Sequence, residues 1–266
     1  MKKSSIFAVA LATMLFAACG GNKNAQTPEE NFDEKSFEQE QIEASIKQNF
    51  DSLATQVGNL KQLPIRKKDG VITLSEEEMK VKPDYLLAAN LSEQATTLAE
   101  KYRVLSAMQI DKEIAQLYEM PTQEYENEIS KLVVDINDPS FKAIEGTSDV
   151  YETSQELYDA MSKNGRINYF WQIVSTALVE QLYVVSQNTD KFMTAFDDET
   201  ASNMSYRLIL IQDAINRLTE YDPEVTPVAE ALEPLNVINA TSVGELKEQL
   251  ESAKELIAKV RNSLVG

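Results

Sequence analysis

Apolar residues recur at alternating spacings of three and four positions in four separate stretches of the chain, at 46–60, 88–105, 201–218 and 243–264. This spacing places the apolar side chains on one face of an α-helix, and it is the repeat expected of helices that pack side by side. Most glycines and prolines fall between the apolar stretches, where helices begin and end. The pattern predicts an all-α protein folded as a single bundle of about seven helices.

A fifth stretch, residues 167–185, is apolar over most of its circumference. Thirteen of its nineteen residues are apolar. The polar residues that recur at helical spacing form one narrow stripe: Asn168, Gln172, Ser175, Thr176 and Glu180. A helix with so little polar surface is predicted to be surrounded by other helices. A membrane span is the rival interpretation, and Gln172, Glu180 and Gln181 disfavour it because polar groups are costly in lipid.

Short motifs mark some helix boundaries. Ser242 followed by Glu245 predicts a capping box at the start of the last helix. The segment from Asp135 begins like a calcium loop but has Pro139 at the fifth position and Gly146 in place of the twelfth-position glutamate. We therefore interpret Asn137-Asp138-Pro139 as a turn that ends a helix.

Residues 63–74 depart from the helical pattern. Two short apolar runs flank Asp69-Gly70, which predicts a small β-hairpin. Arg66, Lys67 and Lys68 stand together near its tip and are candidate binding residues for an acidic partner or for phosphate groups of lipopolysaccharide. The interpretation that we favour is a solvated tip whose lysines prevent edge-to-edge strand pairing.

The N-terminus has the features of a secretory signal. Lys2 and Lys3 precede an apolar run at 6–18, which is too short to cross a bilayer, and the run ends at Ala17-Ala18-Cys19. This arrangement resembles the lipobox of bacterial lipoprotein precursors of the Bacteroidetes type, and the resemblance covers residues 1–19 only. In that class the precursor is cleaved before the cysteine, which is then acylated.

The resemblance implies three parts and a location. Residues 1–18 would be the signal peptide, 19–30 the lipidated Cys19 with a small, polar tether, and 31–266 the helical bundle domain. Gly20 follows the cysteine where enteric inner-membrane lipoproteins have aspartate, which favours the outer membrane. No acidic cluster follows the cysteine directly, which favours the periplasmic side and leaves exposure at the cell surface open.

Charge excludes one class of partner. The formal net charge is −18, and loss of residues 1–18, which hold two lysines and no acid, would make it −20. Nucleic acid is excluded because its binding depends on Lys and Arg neutralising phosphates. The expected partners are the membrane, through the N-terminal lipid, and an envelope protein or glycan.

The residue inventory removes much catalytic chemistry. There is no histidine and only one cysteine, so His-dependent triads, histidine metal sites and an intramolecular disulfide are all excluded. No phosphate-binding glycine motif is present, and no metal site or cofactor is predicted.

Trp171, in Tyr169-Phe170-Trp171, is a candidate platform for a sugar or an apolar ligand. Packing is favoured instead, because adjacent residues on a helix point in different directions.

Two functions remain open. The favoured one is a non-enzymatic binding or scaffolding module anchored to the cell envelope by lipid. The alternative is a carboxylate-dependent hydrolase, for example one acting on envelope glycans. A pocket lined by two buried acids with perturbed pKa values would favour the hydrolase.

Overall fold

The computed structural model describes residues 39–49, 63–144 and 154–266, with the side chains of 143 and 144 excepted. These residues contain helices and turns and no β-strand, which confirms the predicted all-α class. The helices are α1 (residues 39–49), α2 (Glu76–Lys80), α3 (Leu98–Leu117), α4 (Gln123–Ile136), α5 (Ser154–Lys163), α6 (Ile167–Gln187), α7 (Thr189–Phe192), α8 (Asp198–Leu218), α9 (Thr226–Leu232), α10 (Val243–Ser252) and α11 (Lys254–Val265). All of them lie within one compact unit, Lys35–Gly266.

Short 3₁₀ helices connect several of these elements. They span Lys67–Asp69, Ala89–Gln94, Pro139–Ile144, Met193–Ala195, Pro223–Val225 and Glu233–Val237. Such short, tight helices are typical of connections between α-helices.

Helix α6 lies at the centre of the bundle, as the composition of residues 167–185 predicts. It contacts α3, α5, α8, α10 and α11. Nearly all of its side chains from Phe170 to Val185 are buried, including those of the polar stripe. A helix covered on all sides has no solvent-facing stripe, so its polar groups need partners on the surrounding helices.

Two of the periodic stretches are broken where one helix was expected. In 88–105, the first part is the 3₁₀ helix Ala89–Gln94, and α3 begins only after Thr97. Thr97 accepts a hydrogen bond from the backbone N–H of Glu100 (3.2 Å), and the Glu100 carboxylate accepts from the Thr97 N–H (2.9 Å). This capping box starts a new helix and overrides the continuous apolar spacing.

The stretch 243–264 divides at Ala253 into α10 and α11. Backbone hydrogen bonds from Ala253 N to Gln249 O (2.9 Å) and from Ile257 N to Ala253 O (2.8 Å) continue across the division. The apolar seam is consequently uninterrupted, and its members at 246, 250, 253, 257, 260 and 264 are all buried.

Two predicted boundaries are confirmed. Ser242 caps α10 by accepting from the Glu245 N–H (3.3 Å). The Glu245 carboxylate accepts from the Thr241 N–H (2.9 Å) instead of the Ser242 N–H, so only one half of the predicted capping box forms. Helix α4 ends at Asn137, which adopts the left-handed conformation (φ 48°, ψ 46°). The buried Asp138 carboxylate accepts from the Tyr102 hydroxyl and from the Ser140 N–H (2.8 Å), so it ties the turn to α3.

The predicted hairpin at 63–74 is wrong. These residues form no strand, and the 3₁₀ helix Lys67–Asp69 occupies the place of the hairpin tip. Gly70 does adopt the left-handed conformation (φ 68°) that the Asp-Gly pair favours, but here it ends the 3₁₀ helix. Leu63, Ile65, Ile72 and Leu74 are buried, so the apolar runs pack as extended segments against the helices instead of pairing with each other.

Helix α1 joins the bundle through its last described residues. Ile46 is fully buried, Asn49 donates a hydrogen bond to Asp213 of α8, and the Lys47 ammonium lies 5.5 Å from the ring centroid of Tyr158 in α5. The remainder of the first periodic stretch, at 50–60, lies outside the described residues, as do Cys19 and the predicted signal peptide. Among the residues described, no helix is both long enough and apolar enough to cross a membrane.

Candidate functional site

The interior of the bundle holds a charged cluster contributed by three helices. Arg261 of α11 donates from Nε to both carboxylate oxygens of Glu180 in α6, at 2.9 and 2.8 Å. Its Nη2 atom lies 2.8 Å from Glu180 Oε1 and 3.4 Å from Oδ2 of Asp111 in α3. Both carboxylates are fully buried, and Arg261 is 7% exposed. The cluster therefore joins α3, α6 and α11 where water cannot screen the charges.

The cluster has one more carboxylate than it has cations. Burial, together with the charge of Glu180, raises the pKa of Asp111 well above its usual range. Asp111 Oδ2 also accepts from the Leu87 N–H (2.6 Å), whereas its Oδ1 has no hydrogen-bond donor among the described residues. Burial alone would lower the pKa of Arg261, but its hydrogen bond to Glu180 and the two negative charges outweigh burial and raise it. Arg261 remains charged, and Asp111 is the group that takes up a proton.

Two tyrosines connect this cluster to the surface. The guanidinium of Arg261 lies 4.2 Å from the ring centroid of Tyr183, in a cation–π contact. The ring of Tyr85 meets Tyr183 edge to face, with centroids 6.2 Å apart. Burial, with smaller effects from Tyr118 and Asp111, raises the pKa of Tyr85 far above its ordinary value, so its hydroxyl stays neutral.

On its other side, Tyr85 forms part of the wall of a cavity of about 530 Å³. The cavity lies among α2, the segment that follows it, the end of α3 and the end of α6, and its lining is Leu74, Glu77, Glu78, Val81, Lys82, Pro83, Asp84, Tyr85, Tyr118, Gln187 and Asn188. Its size is within the range of small-molecule sites, and its lining combines five apolar or aromatic residues with six polar or charged ones.

Most of the polar groups in this lining already have partners. Glu77 pairs with Lys80 (3.1 Å), and Glu78 pairs with Lys191 (2.8 Å). The hydrogen bonds from Lys191 and Ser75 lower the pKa of Glu78 to about 2. Gln187 Nε2 donates to the carbonyl of Tyr183 and to the hydroxyl of Ser186, both at 3.2 Å.

Two charges in the lining have no counter-ion in the part of the chain that the structure describes. Asp84 is exposed and accepts no hydrogen bond there. The Lys82 ammonium donates only to the carbonyl of Tyr118. These opposite charges flank Pro83 at the mouth of the cavity and lie beyond ion-pair distance of each other.

The basic residues singled out from the sequence are neutralised by the chain itself. Arg66 is largely buried, and its guanidinium lies 2.9 Å from Asp69 and 3.8 Å from Glu113. Lys67 pairs with Glu119 (3.0 Å), and Lys68 lies 3.9 Å from Glu113. Arg66 thus helps to hold its segment against α3, and it is not a free docking residue.

Trp171 is not a binding platform. Its side chain is fully buried and packs edge to face on Phe170 (5.4 Å) and Tyr158 (6.5 Å). Tyr169 instead stacks on Tyr102 (4.6 Å), so the aromatic run is split between two clusters. Trp171 therefore contributes to the packing of the core.

Sequence reasoning did not find the charged cluster or the cavity. The sequence shows Glu180 as a polar residue in an apolar helix, and it shows Arg261 as a charged residue directly after Val260 of the last apolar stretch. Their pairing spans 81 residues, which no local spacing reveals.

The comparisons with known proteins give no further identification: no family model, curated protein or solved structure matches this chain. What the site can do therefore depends on its geometry. The Asp111–Glu180 pair does not line the cavity beside Tyr85, and Arg261 covers it. The cavity itself is open to solvent.

Proposed function

We propose that this chain is a lipid-anchored cell-envelope protein whose helical body acts as a non-enzymatic binding module. The observation that carries the binding role is the cavity beside Tyr85 and Tyr118, because its lining combines apolar side chains with two charges that have no counter-ion among the described residues. The part of this lining at the ends of α3 and α6 is held in place without a ligand, because Tyr118 is largely buried and the Gln187 amide is hydrogen-bonded to Tyr183 and Ser186.

The anchor is proposed from the sequence alone. Cys19 would carry the lipid and hold the domain at the outer membrane on the periplasmic side, with an envelope protein or glycan among the partners. The Cys19→Ser precursor should lose labelling by a radioactive fatty acid and leave the membrane fraction. Equal labelling of the two forms would contradict the anchor and leave the binding role untouched.

The binding role is tested by blocking the cavity. Val81 is 74% exposed at the cavity, and Val134 is equally exposed on α4, far along the chain from this lining. Val81→Trp should place an indole over the opening, and Val134→Trp is the matched control. Each form is incubated with the small molecules of an envelope extract, and the retained compounds are identified by mass spectrometry after gel filtration.

We expect at least one compound that the wild type and Val134→Trp retain and that Val81→Trp loses. If nothing is retained, or if Val81→Trp retains the same compounds, the cavity is not a binding site.

A hydrolase remains the second proposal because of the buried Asp111–Glu180 pair and the raised pKa of Asp111. Such an enzyme would have to open the bundle at Arg261 to admit a substrate. Cleavage of envelope glycans by the wild type, abolished in an Asp111→Asn form that keeps its melting temperature, would replace the binding proposal.

A further inference from the structure

The two uncompensated charges at the cavity indicate a class of ligand, and this inference rests on the proposed binding function. We propose that the cavity binds an amino-acid-like zwitterion with an apolar side chain. Asp84 would accept hydrogen bonds from the ligand's ammonium group, and Lys82 would donate to its carboxylate.

The placement of the charges supports a ligand that bears both signs. Lys82 and Asp84 stand on either side of Pro83, and their charged groups form no ion pair with each other in the part of the chain that the structure describes. The carbonyl of Tyr118 accepts from the Lys82 ammonium and holds this cation at the cavity. A purely cationic ligand would leave Lys82 unneutralised, and a purely anionic one would face Asp84 and the net charge of −18.

The remaining polar lining favours hydrogen-bond donors near Asp84. Both amide hydrogens of Gln187 are used by Tyr183 and Ser186, so its Oε1 atom is left as an acceptor. Asn188 Oδ1 accepts from the Lys191 N–H (3.2 Å), which leaves its amide group as a donor. An ammonium group with three N–H donors suits the acceptors, and a carboxylate suits the Lys82 and Asn188 donors.

The apolar wall accounts for the rest of the ligand. Leu74, Val81, Pro83 and the two tyrosine rings line the cavity, and Tyr118 is largely buried. A volume of about 530 Å³ accommodates a single amino acid with a large apolar side chain.

Three probes that share one phenyl group separate the contributions of the charges. L-Phenylalanine carries both charges, phenethylamine lacks the carboxylate, and 3-phenylpropionate lacks the ammonium group. Each is titrated into the full chain by calorimetry. We expect L-phenylalanine to bind about tenfold or more tightly than either of the others, the factor that one charge-assisted hydrogen bond supplies.

Two variants test which charged group of the ligand Asp84 and Lys82 each contact. Asp84→Asn should weaken L-phenylalanine and phenethylamine about tenfold without affecting 3-phenylpropionate, and Lys82→Met should weaken L-phenylalanine and 3-phenylpropionate without affecting phenethylamine. Glu124→Gln on α4 and Val134→Trp are controls that should change nothing, and Val81→Trp should abolish binding of all three probes.

The outcomes distinguish the ligand class from the function. If all three probes bind equally and Val81→Trp abolishes their binding, the cavity is a binding site but the zwitterion assignment is wrong. If only phenethylamine binds, the ligand is a cation and the assignment is again wrong. If no probe binds at millimolar concentration, the assignment fails, and retention of extract compounds then decides separately whether the cavity binds anything.

Discussion

At the scale of single residues, Arg261 joins the buried charges of three helices. It is the only cation in contact with two fully buried carboxylates, Glu180 and Asp111, within the described residues. Removing an ion from water costs several kcal/mol, and a partner at hydrogen-bond distance offsets this cost. The raised pKa of Asp111 follows from the same imbalance, because the protonated form leaves a single ion pair behind.

We predict that Arg261→Met lowers the free energy of unfolding by about 3–5 kcal/mol at pH 7, because it leaves two carboxylates buried without a cation. Arg217→Met is the control, since Arg217 pairs with Asp213 at the surface (3.0 Å) and should cost less than about 1 kcal/mol. Urea unfolding of both variants measures the difference. Equal, small losses would show that water reaches the cluster.

At the scale of single elements, the caps and the buried faces of the helices contribute to stability. Ser75, Thr97 and Ser242 each cap a helix, and the glutamate three residues later lies in the first helical turn each time. At α3, the Glu100 carboxylate accepts from the Thr97 N–H (2.9 Å), the Thr96 N–H (2.8 Å) and the Thr96 hydroxyl (2.9 Å). These hydrogen bonds, the one from Thr97 foremost, lower the pKa of Glu100 to about 2.

We predict that Glu100→Ala costs about 0.5–1 kcal/mol at pH 7, a modest value because solvent screens the exposed carboxylate. A lowered folded-state pKa stabilises the protein above the unfolded-state value of 4.5, and this contribution is lost as the pH falls towards 2. The difference from wild type should therefore shrink between pH 5 and pH 3 in urea melts. A difference that stays constant from pH 5 to pH 3 would contradict this role of the Glu100 carboxylate.

The contribution of Asp111 to stability depends on pH in the opposite direction. Its folded-state pKa is raised, so its contribution to stability is complete below 3.8 and falls as the pH rises through the folded-state value.

On α6, we predict that Leu178→Ala costs about 2–5 kcal/mol, because Leu178 is fully buried in the central helix. The exposed Val134→Ala on α4 is the control and should cost less than about 0.5 kcal/mol.

The sequence would predict a small cost for Glu180→Ala if the polar stripe reached solvent. Since Glu180 is buried against Arg261, we now expect a loss as large as that of Leu178→Ala, measured in the same denaturant series.

At the scale of the whole molecule, α11 closes the bundle. It packs on α6 and α3, buries Ile257, Val260, Leu264 and Val265, and contributes Arg261. Arg103 of α3 donates to the Leu264 carbonyl (2.8 Å), which fixes the end of the helix. Helix α11 therefore covers the buried carboxylates of α3 and α6.

We predict that deletion of residues 254–266 abolishes cooperative thermal unfolding, because it exposes the apolar face of α6 and leaves Glu180 and Asp111 without Arg261. Circular dichroism should then show a broad loss of helix signal on heating. Removal of residues 1–18, the predicted signal peptide, is the control and should leave the transition unchanged. A sharp transition in the shortened chain would show that the other helices form a sufficient core.

Local spacing predicted the structure correctly where the buried side chains of a segment recur with the period of an α-helix. The central position of α6, the seam of 243–264 and the turn at Asn137 all follow from side chains within a few positions of one another. The prediction was wrong at 63–74, because an Asp-Gly turn between apolar runs suits a hairpin and a 3₁₀ helix equally well. There, Arg66 contacts Glu113 of α3, and this long-range pairing selects the second form.

By itself, the sequence determined the helical class, the buried faces, the helix boundaries at Ser242 and Asn137 and the absence of histidine chemistry, since each depends on residue type or on spacing along one helix. Only the tertiary structure decided which polar residues meet. It placed Arg261 against Glu180 and Asp111, and it set Lys82 and Asp84 at a cavity whose other walls come from α3 and α6. The reason is physical: a buried charge is acceptable only beside a partner, and the partner is supplied by whichever helix the packing of apolar faces brings near.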